Sequence, residues 1–259
     1  MTDDSTRRFT DRVADYVKFR PAYPREVATF VHVELGVAPG APVADIGAGT
    51  GLSTKLFLDA GHPVTAVEPN DAMRAAADAF LADYAKQGRY RSVAGTAEAT
   101  TLADESVDLV GVAQAFHWFR KAETQREFAR ILKPRGKIVL FWSSRLLTGS
   151  AFLEGYEALL QRFCPDYAEV AETYPTAAAM ADWFGAGFEH QTVFPNAQLL
   201  DFESLRGRLM SSSYAPQAGD ERHAPMLAAL RELFDATQQE GRVNFAYETR
   251  VYAGRPLRA

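Results

Sequence analysis

The sequence predicts an α/β fold, a mostly parallel sheet of seven strands with helices on both faces, and three features point to it. A short apolar run, Val43 to Ile46, ends in Gly47-Ala48-Gly49-Thr50-Gly51 and restarts as a helix with Leu52, Leu56 and Phe57. That is how a strand passes through a ligand loop into a helix whose free N–H groups face the ligand. From there to Trp142, strand-like and helix-like stretches alternate, the signature of a parallel sheet with right-handed crossovers. Beyond Ser143 the rhythm loosens into longer helical stretches around two further strand-like runs.

In chain order, residues 1–24 are polar with interspersed Phe9, Tyr16, Phe19 and Tyr23, and close on Arg20-Pro21-Ala22-Tyr23-Pro24, where the prolines force extended backbone; they read as an arm. Glu26 to Leu35 carries Val27, Phe30, Val31 and Leu35 at helical spacing and stops at Gly36. After the glycine loop and its helix, Gly61-His62-Pro63 turns the chain into a second strand, Val64 to Val67, closed by Glu68. Asn70 or Asp71 caps a helix with Met73, Ala77, Phe80 and Tyr84 on one face. Tyr90 to Ala94 and Val107 to Ala113 follow as strands three and four, Glu123 to Leu132 as a helix, and Lys133-Pro134-Arg135-Gly136 as a turn into the fifth strand, Lys137 to Trp142. Leu146 to Phe163, Thr176 to Phe184, Leu199 to Met210 and Pro225 to Gln239 read as helices, and Phe188 to Phe194 and Val243 to Tyr252 as the last two strands. The stretches flanking the sixth strand are too long for simple connections, so 143–187 and 195–242 are expected to be helical insertions that roof the site. With no linker or repeat, residues 1–259 are expected to form one Rossmann-like domain around a core at 40–142.

Composition narrows the chemistry. The net charge of −5 over 259 residues and the absence of a Lys/Arg stripe leave a nucleic-acid partner without an electrostatic footprint, so a small molecule is the expected partner. The single cysteine, Cys164, excludes an intrachain disulfide and a multi-cysteine zinc site and fits a reducing compartment. No apolar run is long enough to cross a bilayer and the first residues lack the apolar core of a signal peptide, so the cytoplasm is expected and a membrane partner is not.

The glycine loop is G-x-G-x-G with an acid two residues before the first glycine, where a dinucleotide fingerprint has G-x-G-x-x-G. This spacing speaks against a nicotinamide-dependent oxidoreductase, the first alternative; a non-catalytic module that keeps the fold only to bind a partner is the second. Asp45-Ile46-Gly47-Ala48-Gly49-Thr50-Gly51, Glu68 at the end of the second strand, Gly95-Thr96-Ala97-Glu98 before the fourth, and Gln114-Ala115-Phe116-His117-Trp118-Phe119 after it occur in that order. Over roughly residues 40–142 this resembles the class I S-adenosylmethionine-dependent methyltransferases. The arm and the Ser211-Ser212-Ser213-Tyr214 segment add a looser resemblance to the small-molecule subgroup that includes the trans-aconitate methyltransferase-like enzymes.

The resemblance implies S-adenosyl-L-methionine as cofactor, an antiparallel last strand, and methyl transfer to an oxygen, nitrogen or carbon of a small organic molecule. It implies cofactor contacts at Asp45, Gly47, Gly49, Gly51, Pro69, Ala97 and Gln114, with Glu68 accepting both ribose hydroxyls, as a carboxylate is suited to do. Many relatives carry an aspartate where this chain has Thr96, so either Thr96 or Glu98 takes the adenine amino group. Met73 lies on the adenine face or in the core. Arg20 meets the methionine carboxylate or stays on the surface. A base is needed only if the acceptor holds its proton, and His117, just past the fourth strand, is the expected catalytic residue because unperturbed imidazole titrates near pH ~6.5.

Overall fold

A computed structural model describes residues 20–167, 176–212 and 214–257. Phe9, Tyr16 and Phe19 of the arm, and Ser213, lie outside the described residues. The elements run α1 (Glu26–Val33), β1 (Val43–Ile46), α2 (Leu52–Asp59), β2 (Val64–Val67), α3 (Asp71–Phe80), α4 (Ala82–Lys86), β3 (Tyr90–Val93), β4 (Val107–Ala113) and α5 (Lys121–Ile131). They continue with β5 (Leu132–Arg145), α6 (Ala151–Phe163), α7 (Ala177–Phe184), β6 (Phe188–Leu200), α8 (Phe202–Met210), α9 (His223–Thr237) and β7 (Val243–Gly254).

The strands form one sheet in the order β3-β2-β1-β4-β5-β7-β6. Neighbours pair in parallel except β7, which runs antiparallel to both β5 and β6, so six strands share one direction. The chain builds outward from β1 to β3, then returns to the other side of β1 for β4. That reversal is the switch point at which open α/β sheets hold ligands, beyond the strands' C-terminal ends. All four residues of β1 are buried, as a strand covered on both faces must be, which is why it reads as a continuous apolar run broken only by Asp45. One face of the sheet packs Val43, Leu109, Val139 and Phe141 against α1 and α2; the other packs Ile46, Val110, Ile138 and Leu140 against Phe128 and Trp183. A third cluster joins α6, α8 and α9 to Phe245 and Tyr247 of β7.

Several boundaries differ from the sequence reading for identifiable reasons. Strand β5 continues through Lys133–Gly136, with a register shift opposite Val107 and Leu109, instead of turning there. Strand β6 runs past Pro195 to Leu200 because it is the edge strand, where a missing N–H leaves no ladder bond unmade. The following helix therefore begins at Phe202, where Asp201 accepts the Ser204 N–H at 2.8 Å. Likewise α6 starts at Ala151, capped by the Ser150 hydroxyl on the Leu153 N–H, and not at Leu146. The helix expected to run to Tyr84 divides at Leu81, a fully buried residue packed close to Gly51. No described helix is long and apolar enough to cross a membrane.

Candidate active site

A cleft of about 930 Å³, its open mouth included, lies where β1, β2 and β4 end. Of the residues expected to hold a cofactor, Gly47, Gly49, Glu68, Pro69, Met73, Thr96, Ala97 and Gln114 line it. Arg20, Asp45, Gly51 and Glu98, and the expected catalytic residue His117, do not line it.

The glycine loop owes its path to close packing. Gly47 holds φ +70°, a left-handed conformation that side chains disfavour, and a Cβ there would sit 2.6 Å from Cβ of Ala115 in the loop after β4. Beneath it, Asp45 Oδ2 accepts the hydroxyls of Ser53 at 2.7 Å and Thr54 at 2.6 Å, tying β1 to the first turn of α2. Burial pushes the Asp45 carboxyl up to about 6, against the pull of these two hydroxyls. Its second oxygen, Oδ1, is buried with no hydrogen-bond partner among the described residues.

Glu68 closes β2 and organises both neighbouring turns. Its Oε2 accepts the Gly49 N–H at 2.9 Å and its Oε1 the Asn70 N–H at 3.0 Å, while Asn70 Oδ1 caps α3 by accepting the Met73 N–H at 3.0 Å. Burial moves the Glu68 carboxyl above its ordinary value, with the two N–H groups opposing. Arg74 does not pair with this carboxylate at hydrogen-bond distance; its guanidinium donates to the Glu68 carbonyl at 2.7 Å.

Thr96 and Glu98, open alternatives in the sequence, are placed differently. Thr96 lines the cleft, whereas the Glu98 carboxylate accepts the Arg120 N–H at 2.8 Å and the Thr96 hydroxyl. Although burial alone would raise it, these donors bring Glu98 below the ordinary carboxylate value and engage it in bracing the loop. Gln114 also lines the cleft at φ 59°, a sparsely populated conformation for a residue with a Cβ, held by its Nε2 donating to the Ser143 carbonyl at 2.8 Å. His117 is partly buried, its ring 4.7 Å from that of Trp118, which does line the cleft. Burial, helped by the Lys121 charge, lowers His117 to about 4.

The wall residues that the sequence did not assign to the site include Tyr23, Trp118 and Thr50. Tyr23 enters from the arm and sets its ring edge-on to Phe141 at 4.8 Å. Trp118 presents 39% of its surface at the cleft. Thr50, inside the glycine loop itself, is 1% exposed and lines the cleft with a hydroxyl that has no partner among the described residues. Its signal was its place between two glycines of the ligand loop. Arg20, by contrast, donates from Nη2 to the Ser211 carbonyl at 3.3 Å, joining the arm to the end of α8.

A glycine loop after β1, an acid closing β2 and a loop after β4 meet in one cleft at the switch point of a Rossmann-like sheet, where such sheets hold ligands. The methyltransferase-domain family model matches residues 44–140. An uncharacterized methyltransferase of Geobacillus kaustophilus is 30% identical over 60% of this chain and 74% of its own length. An uncharacterized methyltransferase-like protein of Schizosaccharomyces pombe is 29% identical over 95% of this chain and 94% of its own. Among solved structures, a candidate type II methyltransferase from Anaeromyxobacter dehalogenans superposes with a TM-score of 0.66 at 21% identity, covering 93% of this chain and all of that one, a likeness of fold. The chain belongs to the class I S-adenosylmethionine-dependent methyltransferases.

Proposed function

We propose that this enzyme binds S-adenosylmethionine in the cleft beside Glu68 and moves its methyl group to a small organic acceptor held under the helices that flank β6. The observation that carries this is the paired state of the cleft's polar groups. Both Glu68 oxygens are fixed by N–H groups and keep lone pairs for two ribose hydroxyls, while the buried Thr50 hydroxyl, also in the wall, has no partner among the described residues and a ligand would supply one. The apolar wall from Met73 and Ala97 suits an adenine ring, and Thr96, not Glu98, is the side chain placed to meet its amino group.

The bound cofactor supplies an activated methyl on a cationic sulfur. The protein's part is to align and to exclude water: Tyr23, Trp118 and Phe119 form the aromatic side of the cleft. Calorimetry on the purified chain should show binding of S-adenosylmethionine and S-adenosylhomocysteine and none of NAD or NADP. Comparable nicotinamide binding with no response to either methionine cofactor would overturn the assignment.

His117 is placed to position Trp118, since its ring packs on the indole outside the cleft wall. At about 4 its imidazole is neutral throughout pH 5.5–8.5 and a weak base. His117→Ala should leave cofactor affinity intact and lower turnover by less than roughly tenfold, with no acidic limb near pH ~6.5 to lose. A loss of roughly 10²–10⁴-fold would make it the general base instead.

A further inference from the structure

The helices flanking β6 bury a cation that no carboxylate among the described residues neutralises. Arg208, on α8, is 8% exposed, and its hydrogen bonds run to neutral oxygens: Nε donates to the Tyr247 hydroxyl at 3.2 Å and Nη1 to the Ser212 hydroxyl at 3.2 Å. Its Nη2 donates to no described residue, and no carboxylate among the described residues pairs with it. The guanidinium carbon lies 5.6 Å from the Phe245 ring centre and 6.0 Å from that of Tyr247. The hydroxyls of Tyr156 and Tyr214 complete the surroundings and donate to no described oxygen. The other cation of the cluster, Arg145, stacks over Tyr156 at 5.2 Å and is neutralised by Glu157.

A buried ion without a counter-ion is costly, and the three donors left over here, a guanidinium edge and two phenols, all seek an acceptor. The cluster is linked to the cleft wall through hydrogen bonds. Tyr247 and Thr249, two apart on β7, face the same side; the Thr249 and Ser143 hydroxyls share a hydrogen bond at 2.7 Å, and the Ser143 carbonyl accepts from Gln114 in the cleft wall. From the other side, Arg20 reaches Ser211 while Tyr23, three residues on, lines the cleft.

We propose that Arg208, Tyr156 and Tyr214 form the subsite for a carboxylate of the methyl acceptor, so that the substrate is a small carboxylic acid methylated at a group distant from the anchored carboxylate. A single cation among neutral hydroxyls, with no carboxylate partner among the described residues, matches a monoanion, whereas a phosphate monoester would bring about two charges. Two residues of strand, about 6.6 Å, separate Tyr247 from Thr249 on the side of the cleft wall, so the methyl-accepting atom lies at the molecule's other end, toward the cleft. This inference rests on the cleft being the methyl-donor site.

The test is thermal unfolding of the full chain, saturated with S-adenosylhomocysteine, against monocarboxylic acids from acetate to cinnamate, each beside its primary amide. At least one acid should raise the midpoint by a few degrees where its amide does not. Arg208→Met should weaken that acid by roughly 10–100-fold, as loss of a charged hydrogen-bond partner does, while holding or raising the midpoint without acid. Tyr156→Phe, which removes one hydroxyl and little volume, should weaken the acid with the midpoint unchanged. No response to any acid, a response that survives Arg208→Met, or a fall in that variant's own midpoint would overturn the subsite. So would inorganic phosphate stabilising as strongly as the best acid. Titrating S-adenosylhomocysteine into the same samples reads the donor site separately. Intact cofactor binding without an acid response sinks the subsite alone.

Discussion

Replacing Glu68 by alanine is expected to weaken S-adenosylmethionine binding by about 1.5–3 kcal/mol, roughly 10–100-fold, with the fold retained. The side chain holds the Gly49 and Asn70 N–H groups, so the variant loses the ribose acceptor and the order of both turns together. Glu68→Gln separates the two, because the amide keeps one acceptor oxygen, and its loss should be intermediate. Acidification should mimic it. Burial raises the Glu68 carboxyl, so cofactor affinity falls at a higher pH than an ordinary carboxylate would impose. Its effect on stability has the opposite sign: the native carboxyl holds its proton more tightly than the unfolded one, so this contribution is present at low pH and is lost as pH rises through the folded value. Calorimetry at several pH values checks both variants, and unchanged affinity in Glu68→Ala would place the acid outside the site.

Gly47→Ala should cost both stability and ligand affinity. The new Cβ would demand a left-handed backbone and meet Ala115 at 2.6 Å, a backbone-borne methyl with no rotamer to escape into. A cost of about 1–3 kcal/mol is usual for such overpacking, read as a lower urea midpoint. The loop after β4 would move, and with it Gln114, Ala115 and Trp118 of the cleft wall, so cofactor binding should fall by at least roughly tenfold. Gly111→Ala is the control. Its Cβ would meet the Phe57 ring at 2.6 Å on the far side of β4, so it should lose comparable stability and keep its affinity. Equal losses of affinity in the two variants would reduce the Gly47 effect to general destabilisation.

The parallel core was legible because its central strands are buried on both faces and read as apolar runs ending in site residues, as β1 and Glu68 show. The extents of β5 and β6 were not, because position within the sheet decides whether Pro134 and Pro195 interrupt a ladder, and strand order is not written locally. Helix starts moved to Ser150 and Asp201, capping residues that the apolar spacing overran. Within the site, Glu98 and Thr96 could not be separated by type, since only the fold brings the Arg120 N–H to Glu98. Arg208 was hidden for a different reason. On a short helix with Glu203 and Arg206 it reads as one more solvated charge, and only the packing of α8 against β7 turns it inward.

Strand β7 passes through two regions that would otherwise be separate bodies. Its first half, with Val243, Phe245 and Tyr247, belongs to the cluster under α6, α8 and α9, and its second half, with Val251 and Ala253, to the core beneath the glycine loop. It is laddered to β6 along its whole length and to β5 from Tyr247 onward. The helical cluster thus joins the sheet through one continuous strand, bonded on both sides from Tyr247 onward: tilting the cluster would strain that ladder. Arg20 and Tyr23, and the turn at Ser211 and Ser212 that Arg20 touches, are not stitched into that ladder. In hydrogen exchange the ladder would appear as the slowest exchange at the β7 amides from Tyr247 to Gly254, where the strand is paired on both sides.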